Sequence, residues 1–89
     1  MKTTYLGQYQ EFLARLRLAR RNSGMTQEEL ARRLKRPQSF VSKYENGERR
    51  LDIVEFLHVA RAIGVDPVDL LRELAERIIE PRLSRKTRA

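Results

Sequence analysis

Gln38, Ser39, Ser42 and Lys43 fall at spacings that place them together on one side of a short helical stretch, with Phe40, Val41 and Tyr44 on the other side. Glutamine can meet adenine through both of its amide groups, lysine can donate to the acceptors of guanine, and serine can do either. The major groove of double-stranded DNA is wide enough to admit a helix carrying such a set. A helix facing only solvent more usually mixes Glu with Lys, yet here no acidic side chain joins the presented face before Glu45. Such a set suits recognition of base edges, and equally a polar face that is merely compatible with a helix. For bond making there is no nucleophile beside a base, no carboxylate pair and no phosphate-binding loop, so no enzymatic activity is expected.

A second group of polar residues surrounds the first. Gln27 lies at the start of a predicted helix, where the positive end of the helix dipole can receive a phosphate. Asn46, Arg49 and Arg50 follow the presented helix in a basic loop and suit contacts to the DNA backbone, which position a protein without reading sequence. Asn46 also has a competing role in the turn itself. Arg32, Arg33 and Arg36 either touch phosphate or add to the positive field, and Arg15, Arg17 and Arg21 read as a solvated face of the first helix.

The elements that must hold these residues follow from local signals. Tyr9, Phe12, Leu13, Leu16 and Ala19 keep helical spacing, which predicts a first helix over about 8–21 that stops at Asn22-Ser23-Gly24. Thr26 with Glu29 fits a capping box, followed by Leu30, Ala31 and Leu34. Pro37 interrupts that helix and is placed to open the next, which runs through Phe40, Val41 and Tyr44 to the stop signal Asn46-Gly47. Asp52 with Glu55 forms a second capping box ahead of an apolar helix ending at Gly64. Asp66-Pro67 then starts a fifth, carrying Val68, Leu71, Leu74, Ala75 and Ile78 as far as Pro81. The reading is an all-α domain over 1–81, with no strand signals, and a basic, mobile tail over 82–89.

The pair Leu30-Ala31, the run Ser42-Lys43-Tyr44-Glu45-Asn46-Gly47, the break Gly64-Val65-Asp66 and Leu70-Leu71 beyond it resemble the Cro/phage-repressor, or xenobiotic-response-element (XRE), family of helix-turn-helix proteins. The resemblance covers roughly residues 12–75 and puts the motif at 26–47. It implies a compact five-helix, lambda-repressor-like DNA-binding domain in which Gln27 meets phosphate and Arg20 pairs with Glu45. Arg20 falls near the apolar side of its helix, so such a pair would be architecture that fixes the recognition helix, not a DNA contact. Two positions depart from the family pattern. Lys35 stands where glycine is usual, which implies a positive φ at a cost of about 1 kcal/mol. Arg36 stands where a buried aliphatic side chain is more common, which implies a shifted or more exposed turn.

Charge agrees with a polyanionic partner. The chain of 89 residues carries a net +7, and residues 15–50 hold 11 Lys/Arg against 4 Asp/Glu. Residues 51–81 are acidic at −4, and the tail returns to +4. There is no cysteine, hence no disulfide, and the single His58 has no companion at metal-ligand spacing, so neither metal nor cofactor is expected. No apolar run approaches the roughly 20 residues of a membrane span, and a cytoplasmic setting is expected. The leading expectation is a transcriptional regulator, a repressor, binding double-stranded DNA as a homodimer across two half-sites. Its dimer surface is expected on the fifth helix around Val68, Leu71, Ile78 and Ile79. The alternative is an antitoxin or mobile-element control protein whose main partner is another protein, such as a toxin seated on the acidic segment or ordering the tail. Binding to an acidic membrane surface through Phe12, Leu16 and the opposing arginines is disfavoured, because the core needs that apolar stripe.

Overall fold

Five helices make up the computed structural model, which describes residues 6–78: α1 Leu6–Asn22, α2 Gln27–Leu34, α3 Gln38–Glu45, α4 Ile53–Ile63 and α5 Pro67–Ile78. No strand occurs among the described residues. Ile79, the Pro81 stop and the 82–89 tail lie outside them.

The helix starts are set by side chains that satisfy orphan amides. At α2, Thr26 Oγ1 accepts from the Glu29 amide at 3.0 Å while Glu29 Oε1 accepts from the Thr26 amide at 2.9 Å. Asp52 and Glu55 repeat this reciprocal pair at α4, and the Asp66 carboxylate accepts from the Val68 amide at the start of α5. Pro37 differs from its expected place. It occupies the N-cap of α3 with extended geometry (φ −64°, ψ 153°), and Gln38 is the first helical residue. The ring therefore ends one helix and directs the chain into the next without being part of either.

The turn between α2 and α3 closes through Lys35, which takes the left-handed conformation at φ 58°. Its amide donates back to the Arg32 carbonyl at 3.1 Å, and the Arg36 amide donates to Ala31 at 3.0 Å. Arg36 is exposed, and its guanidinium lies 4.2 Å from the centre of the Phe40 ring. An aliphatic side chain would have been buried there; the arginine covers the same ring from outside and keeps its charge in solvent.

One core joins all five helices. Leu16 of α1, Leu30 of α2, Val41 and Tyr44 of α3, and Phe56 and Val59 of α4 are the largest side chains wholly removed from solvent, and Leu74 of α5 closes one side. α2 packs on α3 and α4, while α1 spans α3, α4 and α5. Each of these burials is worth about 1.5–3 kcal/mol, so two helices of eight residues are held by their neighbours and not by propensity. The fourth helix is less buried than its apolar sequence implies. Phe56, Val59, Ala60 and Ile63 face the core, but Ile53, Val54 and Leu57 remain 60%, 57% and 45% exposed. None of the described helices is long and apolar enough to cross a membrane.

Candidate nucleic-acid interface

α3 has two unlike sides. Phe40, Val41, Tyr44 and Glu45 are buried, which turns Gln38, Ser39 and Lys43 out to solvent. Ser42 is half-buried, and its hydroxyl donates back to the Ser39 carbonyl at 3.3 Å. The four residues named from spacing thus share one face, three of them fully presented and the fourth partly engaged with its own helix.

A buried ionic cluster fixes the back of that helix. Arg20 donates to Glu45 through Nε at 2.8 Å and through Nη2 at 3.1 Å, and its Nη1 donates to the Met25 carbonyl at 2.8 Å. This ties α1, the loop ahead of α2, and α3 to one carboxylate. Gln27 adds a fourth element, donating from Nε2 to Glu45 Oε1 at 2.9 Å, and Arg17 reaches the same oxygen at 3.4 Å. Burial alone would push the Glu45 carboxyl up. The hydrogen bonds from Arg20 and Gln27, with the charges of Arg20 and Arg17, outweigh burial and hold it below the usual range. Glu45 therefore stays ionised, and nearly all of its acceptor capacity is used.

The residues named for phosphate differ in how free they are. Gln27 has its side-chain amide turned inward to Glu45, so its outward contribution is the backbone amide of the first helical turn. Glu28 and Glu29 share that turn and oppose an incoming anion. Asn46 is exposed, ends α3 in right-handed geometry, and accepts from Arg17 Nη2 at 3.5 Å; the left-handed residue is Gly47, at φ 82°. Arg50 is exposed with its guanidinium 4.4 Å from the Tyr9 ring centre. Arg49 is engaged within the chain, donating to both oxygens of Glu55 at 2.9 and 2.7 Å. Of the other basic residues, Arg33 donates to the Ala62 carbonyl at 3.2 Å and Arg36 to Glu55 at 3.3 Å.

Two features escaped the sequence reading. Arg17, grouped there with a solvated face, stands beside Glu45 and Asn46 at the edge of α3. The available signal was its place one turn before Arg20 on the same helix. Glu55 was legible only as the partner of a cap; nothing local showed that Arg49 and Arg36 would also reach it.

The chain and its fold are similar to known proteins. A family model described as a helix-turn-helix domain matches residues 11–77. A solved XRE-family like protein from Pseudomonas syringae pv. tomato str. DC3000 is 54% identical, with 81% of this chain and 88% of that chain covered and a TM-score of 0.79. Among curated proteins none matches. A buried carboxylate holding a short helix whose other side presents Gln38, Ser39 and Lys43, in a chain of this likeness, has one reading: the protein belongs to the XRE-type helix-turn-helix family of DNA-binding proteins.

Proposed function

We propose that the protein is a sequence-specific transcriptional repressor that binds a two-fold operator in double-stranded DNA as a homodimer. The observation that carries this reading is the outward face of α3. Gln38, Ser39 and Lys43 are exposed on a helix whose opposite face is pinned by the Arg20–Glu45 pair, so base-reading side chains are presented from a rigid support. In this reading Gln38, Ser39, Ser42 and Lys43 meet base edges in the major groove. Gln27 through its backbone amide, with Asn46, Arg49 and Arg50, meets phosphates, Arg49 by exchanging its carboxylate partner for one. The site of action is then the cytoplasm, at the nucleoid.

One eight-residue helix offers few base contacts, so affinity calls for two copies on half-sites about one helical turn apart. Support for a second copy comes from apolar side chains left in solvent on α4 and α5: Ile53, Val54 and Leu57, with Val68 and Leu71 at 56% and 40% exposed. Selection of duplexes from a random pool at near-physiological salt tests the proposal. Enrichment of a two-fold-symmetric motif is expected. Retention of DNA without any enriched motif would leave only electrostatic affinity and would favour the antitoxin-like alternative, in which a protein partner is the main one.

A further inference from the structure

Beside the proposed phosphate contacts lies a carboxylate that pairs with two arginines at once, Glu55. Glu55 sits at the third position of α4, where its Oε1 accepts from the Asp52 amide at 3.1 Å as half of the second capping box. The same carboxylate takes both terminal nitrogens of Arg49, at 2.9 and 2.7 Å, and Nη2 of Arg36 at 3.3 Å. Arg36 precedes α3 and Arg49 follows it, and both guanidinium groups lie over Phe40, 4.2 and 4.9 Å from its ring centre. The glutamate side chain is 19% exposed while the arginines are 42% and 40% exposed, so the anion is shielded and the cations remain reachable.

We infer that Glu55 is a built-in competitor for the DNA backbone: it occupies Arg36 and Arg49 in the free protein, so a phosphate reaches them only by displacing its carboxylate. The inference rests on the DNA-binding reading above and names a residue that sets how much affinity phosphate alone can supply. A carboxylate and a phosphate offer a guanidinium the same two-oxygen geometry, so either can fill the place of the other. The hydrogen bond from Arg49 and the Asp52 amide hold the Glu55 carboxyl down at about 2, so the competitor is charged at every pH at which DNA is bound. Because the capping box fixes the carboxylate on α4, it does not follow the arginines outward. Displacement breaks the pairs. Phosphate contacts common to all sequences are thereby weakened, and a duplex must also satisfy α3 to be held firmly.

Glu55→Gln removes the charge and keeps an oxygen for the capping box, which accepts Gln as well as Glu. Glu55→Asp keeps the charge but is one methylene too short to hold both arginines. Glu48→Gln removes a charge from the neighbouring loop at a residue with no ion pair among the described residues. Titration of a labelled random-sequence duplex, with thermal melting of each variant, compares them. Wild type is expected to bind. Glu55→Gln should bind roughly 3-fold to 10-fold more tightly than Glu48→Gln, the scale of one or two exposed ion pairs. Glu55→Asp should shift the same way and decides the matter should Glu55→Gln melt early. Adding Glu55→Gln to Arg36→Ala/Arg49→Ala should bring no gain beyond that of Glu48→Gln. Equal binding by Glu55→Gln and Glu48→Gln, or a gain that persists without the arginines, overturns the inference and leaves the DNA-binding reading intact. A wild-type protein that leaves every duplex unbound overturns both.

Discussion

Arg20 and Glu45 meet in a two-point ion pair, Nε to Oε2 at 2.8 Å and Nη2 to Oε1 at 3.1 Å, with both residues buried. The contact joins the last turn of α1 to the last turn of α3, and Gln27 brings the start of α2 to the same carboxylate. Three helices are thus referenced to a single charged group. Its worth lies in orientation more than in stability, because a buried pair sets a large desolvation cost against its Coulomb gain.

Breaking that pair from one side is a different matter. Glu45→Ala leaves the Arg20 guanidinium buried without its anion and should cost about 3–5 kcal/mol in urea unfolding. Replacing both residues by apolar ones of similar volume, Arg20→Met with Glu45→Leu, should restore most of the stability. A single substitution that unfolds at the wild-type midpoint would show the pair to be dispensable.

Acid should weaken the fold in a defined window. Glu55 has its carboxyl lowered from 4.5 to about 2, chiefly by Arg49, and Glu45 is also lowered. A carboxyl depressed by folding contributes stability that is fully present above its unfolded value and is lost as pH falls through the folded one. Urea midpoints should therefore hold steady down to about pH 5 and then decline toward pH 2. Glu55→Gln should decline less over that range. An identical decline in the variant would mean that Glu55 is not among the groups responsible.

Lys35 is the one non-glycine residue with positive φ among those described. Among the described residues its side chain makes no hydrogen bond or ion pair, and it closes α2 where glycine is the favoured residue. Lys35→Gly should raise thermal stability by about 0.5–1 kcal/mol through relief of backbone strain. A loss of stability would place a packing role on the lysine stem.

Base and backbone contacts separate by their response to sequence and salt. Gln38→Ala and Lys43→Ala should each cost about 1–3 kcal/mol on a selected duplex and relax preference at one position. Arg50→Ala should weaken selected and random duplexes alike and reduce the salt dependence by about one phosphate. Gln38→Ala with equal losses on both duplexes would remove that residue from the base-reading set.

Much of the fold was legible because helix boundaries are local events. Thr26 with Glu29, Asp52 with Glu55, and Asp66 before Pro67 each satisfy amides within three residues, and Gly47 and Gly64 take the left-handed geometry that the absence of a Cβ permits. The outward face of α3 was legible for a similar reason, since period alone separates Gln38, Ser39 and Lys43 from Phe40, Val41 and Tyr44. Pro37 was misplaced by one residue because a proline suits the cap and the first turn almost equally. The apolar run of α4 did not say which side is buried: Phe56, Val59, Ala60 and Ile63 face the core, while Ile53, Val54 and Leu57 stay in solvent.

The sequence by itself determined where helices start and stop, which side chains share a face, and where positive charge collects, because each depends on residues a few positions apart. Only the tertiary structure decided what the charges do. Gln27 turned inward to Glu45, Arg17 drawn to the edge of α3, and Arg49 and Arg36 gathered on Glu55 join residues from 6 to 28 positions apart. Periodicity carries no information about which arginine meets which carboxylate. That is settled by how the helices cross, and the crossing is set by the core as a whole.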